Sequence, residues 1–73
     1  MVKGMNLVLN AFKNDRPFCV VVMQGYTTVF EGDFESLKDF EYPGFEVADE
    51  VSLSIDSRVL TIHLEKSYDQ GYF

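Results

Sequence analysis

Phe18-Cys19-Val20-Val21-Val22-Met23-Gln24-Gly25-Tyr26-Thr27-Thr28-Val29-Phe30-Glu31 is the stretch whose reading decides the fold. Its first six residues are continuously apolar and rich in valine, the pattern of a strand buried on both faces. Gln24-Gly25 follows, and a glycine at the second position of a two-residue loop allows the positive φ of a tight hairpin. From Tyr26 onward β-branched and aromatic residues resume. Closing that turn sets Met23 opposite Tyr26, Val21 opposite Thr28 and Cys19 opposite Phe30.

Toward the N-terminus, residues 5–12 alternate in part, with Met5, Leu7, Leu9 and Ala11 on one side and Asn6, Val8, Asn10 and Phe12 on the other. Lys13-Asn14-Asp15-Arg16-Pro17 is a polar turn closed by proline. The reading is a strand that pairs with the valine run, setting Ala11 opposite Phe18, Leu9 opposite Val20 and Leu7 opposite Val22. One sheet face then carries Met5, Leu7, Leu9, Ala11, Phe18, Val20, Val22 and Val29, which makes it the core face.

Toward the C-terminus, Gly32-Asp33 ends the meander, and Asp33 suits a helix N-cap. Phe34, Leu37 and Phe40 recur every three residues, giving a short helix one apolar stripe. Tyr42-Pro43-Gly44 stops it, and residues 45–48 read as a connector. Val51, Leu53 and Ile55 then alternate with Ser52, Ser54 and Asp56. After a turn at Ser57-Arg58, Leu60, Ile62 and Leu64 alternate with Val59, Thr61 and His63. That hairpin sets Val51 opposite Leu64, Leu53 opposite Ile62, Ile55 opposite Leu60 and Ser52 opposite His63. The expected fold is a small α+β domain over residues 1–73, with a twisted antiparallel sheet in the order β-β-β-α-β-β. The alternative is a partly closed five-stranded barrel of the kind that places a helix between its third and fourth strands. Residues 66–73 have no period and read as a loosely held tail.

Catalytic and cofactor signals are weak. Ser52, His63 and Asp56 share a strand face, but a nucleophile also needs an orienting group within reach and a cleft, and the flat strand pattern offers neither. One histidine and one cysteine make no zinc spacing. The calcium-loop pattern and the phosphate-cradling glycine loop are both absent. The expectation is a non-enzyme with no cofactor and no metal. Cys19 is the only cysteine, which excludes an internal disulfide and fits a reducing, cytoplasmic setting. No segment resembles a signal peptide or approaches the roughly 20 apolar residues of a membrane span. With 47% hydrophobic residues and a net charge of −6, the composition is globular, and the acidity argues against direct nucleic-acid binding.

Charge is unevenly placed. Glu31, Asp33, Glu35, Asp39, Glu41, Glu46, Asp49 and Glu50 fall within residues 31–50 against Lys38 alone. Elsewhere the bases slightly outnumber the acids. An acidic segment of this kind fits a basic protein surface, and it can imitate a phosphate backbone at a site kept for DNA or RNA. Tyr42 and Phe45 lie inside it as candidate apolar anchors. The mixed sheet face offers a second surface, and Val21, Met23, Tyr26 and Phe30 are candidates for self-association into a homodimer. The functional expectation is a small acidic protein-interaction module. In size, acidity and lack of catalytic groups it resembles short phage or mobile-element inhibitors. The alternative is a structural or accessory protein that dimerises through its sheet.

Overall fold

Met5, Val8, Leu9 and Phe12 fall at i, i+3, i+4 and i+7, the spacing that gathers four apolar side chains on one side of a helix. In the computed structural model, which describes residues 1–67, this segment forms helix α1, Met5–Ala11, instead of the expected first strand. Met5 and Val8 are buried, and Leu9 and Phe12 pack against the core. Leu7, assigned to the core by the alternation reading, is 69% exposed. Only Val8 in the segment is β-branched, so propensity also favours the helix.

Among the described residues four strands follow: β1, Cys19–Gln24; β2, Thr27–Gly32; β3, Phe45–Ser54; and β4, Val59–Lys66. They form one open sheet in the order β2-β1-β4-β3. Lys3 adds a one-residue parallel bridge to Glu46 at the outer edge of β3. The α+β class holds, and the sheet is not closed into a barrel. The strand order is corrected, because residues 5–12 supply no strand to pair with β1. That edge of β1 is taken by β4, which runs parallel to it, while β1 with β2 and β3 with β4 are antiparallel. The sheet is therefore mixed. Between β2 and β3 a 3-10 helix, Phe34–Asp39, carries the chain back across one face. Its strict three-residue spacing matches the 3-10 period, and Phe34 and Leu37 are buried.

Both hairpins close, in registers other than those expected. In the first, the two-residue loop is Gly25-Tyr26, with Gln24 opposite Thr27 and Met23 opposite Thr28. Gly25, at φ +64°, takes the first loop position. Val29 is then an extra residue, a bulge that sets Val22 opposite Phe30. A one-residue slip moves a side chain to the other face, so Phe30 joins the core side. In the second hairpin the faces are as expected and the register slides by two. Val51 lies opposite Ile62, Ser52 opposite Thr61 and Leu53 opposite Leu60. A four-residue turn closes it, with the Arg58 N–H donating to the Ser54 carbonyl at 2.7 Å. Strand β3 also begins earlier than expected and absorbs the supposed connector at residues 45–48. Residues 48–50 bulge out between Val47 and Val51.

The core sits on one side of the sheet. Val20 and Val22 of β1 and Leu60, Ile62 and Leu64 of β4 pack with Val2, Met5, Val8, Phe34 and Leu37. An aromatic chain extends this layer: Phe30 with Phe40 at 5.2 Å, Phe40 with Tyr42 at 6.1 Å and Tyr42 with Phe45 at 5.1 Å between ring centroids. The loop before β1 joins the same side, where the Arg16 guanidinium lies 5.9 Å over the Phe34 ring. Among the described residues no helix is long and apolar enough to cross a membrane.

Candidate protein-contact surface

Register assigns the other sheet face. It carries Cys19, Val21 and Met23 of β1, Thr28 and Glu31 of β2, Val59, Thr61, His63 and Glu65 of β4, and Glu46, Ser52 and Ser54 of β3. The hydrogen bond from Thr28 Oγ1 to Met23 Sδ, 3.1 Å, fits that shared side. Both helices and the aromatic chain belong to the core side, so among the described residues none of these elements covers this face. Along β1 it carries a half-buried apolar strip of Cys19, Val21 and Met23, extended by Val59 of β4, beside Thr61 and His63 on β4. Glu31 and Glu65 are exposed on it. The strands bring it no Lys or Arg. Lys3, at the outer edge, is ion-paired with Glu46 at 3.6 Å.

The expected site residues divide between several places. Of the four self-association candidates, Val21 and Met23 share the helix-free face. Phe30 packs on the opposite side, and Tyr26 stands fully exposed at the hairpin tip. Of the acidic segment, Glu31 and Glu46 reach the helix-free face. Glu35 is bound by Arg16 and by Lys38, and Glu41 by the N-terminal ammonium. Asp33, the N-cap of the 3-10 helix, and Asp39, its last residue, are exposed, as is Asp49 in the β3 bulge. Glu50 lies in the same bulge, and its side chain is outside what is described. Tyr42 and Phe45 are half-buried in the aromatic chain and pack against the core. The acidic residues are therefore divided between the helix-free face, the 3-10 helix with its flanks and the β3 bulge, and Glu35, Glu41 and Glu46 already hold a cation.

Glu65 is the residue that the sequence reading missed. Charge counting along the chain left it out, because it lies outside residues 31–50. The signal was present in the last hairpin: Glu65 continues the alternation of Val59, Thr61 and His63, which places it on their face. The Ser52, His63 and Asp56 grouping does not assemble, since Ser52 faces Thr61 and Asp56 sits in the turn. Among the described residues no group of three or more His, Cys, Asp or Glu could hold a metal ion. Of the tail read as loose, residues 66–73, the part from 68 on lies outside the described residues, and the first two residues are held by the sheet. Lys66 ends β4, and the Ser67 N–H donates to the Gly44 carbonyl at 2.9 Å.

No protein-family model, curated protein or solved structure matches the chain.

Proposed function

We propose that this chain is a non-catalytic protein-binding module whose helix-free sheet face docks on a basic protein surface. One observation carries the reading: the sheet has both helices on one face, and the other presents an apolar strip along β1 within a polar surround that includes Glu31, Glu46 and Glu65 and takes no base from its strands. An apolar centre within a polar rim is the usual anatomy of an interface. The charge sign selects the partner, because like charges brought together oppose docking and opposite charges steer it. Basic surfaces of this kind commonly serve phosphates, so a protein docked there competes with DNA or RNA and acts as an inhibitor. A reducing, cytoplasmic setting suits a chain whose single cysteine, Cys19, lies on the docking face.

The test compares the native chain with a Glu31→Lys and Glu65→Lys double variant as immobilised bait in a cell lysate. The reading expects a protein retained by the native chain and lost with the variant. Its association rate with the purified native chain should fall at least tenfold as salt rises from about 20 to about 200 mM. Equal retention by both baits, or a salt-independent rate, would remove the sheet face from consideration.

A further inference from the structure

Strand β1 is apolar on both sides and covered on one. Val20 and Val22 face the helices and are fully buried. Cys19, Val21 and Met23 alternate with them onto the helix-free face, where they are half-buried. β1 also pairs in parallel with β4. Strands that pair in parallel belong chiefly to sheets covered on both faces, and they read as continuous apolar runs. The run from Phe18 to Met23 is of that kind, so β1 is built for two covering layers and has one.

The uncovered strip is narrow. On the β2 side Thr28 lies opposite Met23 and Glu31 opposite Val21. On the β4 side Thr61 lies opposite Val21 and His63 opposite Met23, with Glu65 further along the same face. From Cys19 to Met23 the strip runs about 13 Å, and two turns of an amphipathic helix lay an apolar stripe of about 11 Å. We infer that the strip takes a basic amphipathic helix of the partner protein, laid along β1 as its second layer, with Lys or Arg side chains meeting Glu31 on one side and Glu65 on the other. This rests on the proposed function and names the partner's chemistry.

Charge selects the sign of that helix. Glu31 and Glu65 are exposed, and neither has an ion-pair partner among the described residues. Glu46 is held by Lys3. The bulge of β3 beside His63 contains Asp49 and Glu50, two more acids by residue type and no base. A second copy of the chain, with its net charge of −6, or an acidic helix would meet repulsion here. Spacing then sets the positions of the bases. Through Val21, Glu31 stands level with Thr61, whereas Glu65 lies beyond His63 on the other side of β1. The two carboxylates are thus about 13 Å apart along the strands. Along a helix this is about nine residues, or about two and a half turns, so two residues at that spacing point to opposite flanks. One straight helix can set a base toward each carboxylate while its apolar stripe rests on Val21 and Met23. Lys and Arg stems are long enough to bend down from the flanks.

The probes are synthetic labelled helical peptides of about 18 residues, with leucines on one stripe, alanine and glutamine elsewhere, and two lysines. In one peptide the lysines are about nine residues apart, and in the other about seven, which returns both to one flank. Fluorescence anisotropy with the full chain up to about 1 mM should show the first binding at least about threefold more tightly than the second. Glu31→Lys with Glu65→Lys should weaken the first peptide at least about tenfold. Leu7→Lys, in the apolar hollow between α1 and β3, should change it less than about twofold. Equal affinity for the two peptides would overturn the inference, as would binding lost with Leu7→Lys and kept with the glutamate variant. No binding at about 1 mM would overturn it too. If a lysate protein is still retained by the native chain and lost with the glutamate variant, the proposed function survives that failure. If neither peptide nor lysate protein is retained, both fall.

Discussion

Individual positions carry very different weight in this chain. Val20 is fully buried between β2 and β4 with no polar neighbour to pair a charge. A carboxylate placed there costs several kcal/mol, comparable with the whole stability of a small domain. Val20→Asp is therefore expected to leave the chain unfolded, with no cooperative thermal transition by circular dichroism. A soluble variant with a sharp transition would contradict the burial. Two glycines give a finer contrast. Gly25 has φ +64° with no atom within 4 Å of an added Cβ, whereas Gly4 has φ +88° and a Cβ there would meet Val47 at 3.3 Å. Gly25→Ala is expected to cost about 1 kcal/mol from the backbone alone, and Gly4→Ala about 2 kcal/mol, because the contact adds to the strain. Urea midpoints of the two variants measure the difference, and equal midpoints would mean that α1 and β3 move apart freely.

At the scale of elements, α1 shows what the sequence made legible and what it did not. Residues 5–12 satisfy two patterns at once: 5, 7, 9 and 11 read as a strand, and 5, 8, 9 and 12 read as a helix. Local alternation cannot choose between them, since Leu7 and Ala11 are as apolar as Val8 and Phe12. The strands of residues 18–31 and 51–64 were legible because β-branched residues and turn signals agreed with period two. Their registers were not, because a bulge at Val29 and a four-residue turn after Ser54 leave no mark in the hydrophobic pattern. The parallel pairing of β1 with β4 was hidden for a related reason: it depends on β1 having a free edge, which only the helical reading provides. The site suffered the same fate. Val21 and Met23 kept their face because parity within β1 is fixed, while Phe30 changed face with the bulge. The helix and strand readings of residues 5–12 separate cleanly by mutation. Met5→Ala is expected to cost about 2–5 kcal/mol, because Met5 is fully buried. Leu7→Gln, at low micromolar concentration, is expected to stay within about 0.5 kcal/mol of the native chain. A strand reading makes both changes costly.

For the whole molecule, charge decides how stability responds to salt. Twelve acids face six Lys and Arg residues. The ion pairs of Arg58 with Asp15, of Arg16 and Lys38 with Glu35, and of the N-terminus with Glu41 are all at least partly exposed. Exposed pairs are worth at most about 1 kcal/mol each and fade as salt rises. That fading alone would make the protein less stable in salt. Against it stands the repulsion among the remaining carboxylates. Glu31, Asp33, Asp39, Asp49 and Glu65 are all exposed, and unfolding lets them separate. Salt relieves this repulsion in the folded state more than in the expanded chain, whose charges are already farther apart. With acids in twofold excess, the repulsive contribution outweighs the pairs, and the fold is expected to gain about 0.5–1 kcal/mol between about 20 and about 200 mM NaCl. At a urea slope of about 1 kcal/mol per molar, this moves the midpoint up by about half a molar or more. The measurement belongs at low micromolar concentration, where association adds nothing to the folded state. A midpoint that falls with salt would mean that the exposed ion pairs, Arg16 and Lys38 with Glu35 foremost, contribute more than their exposure allows.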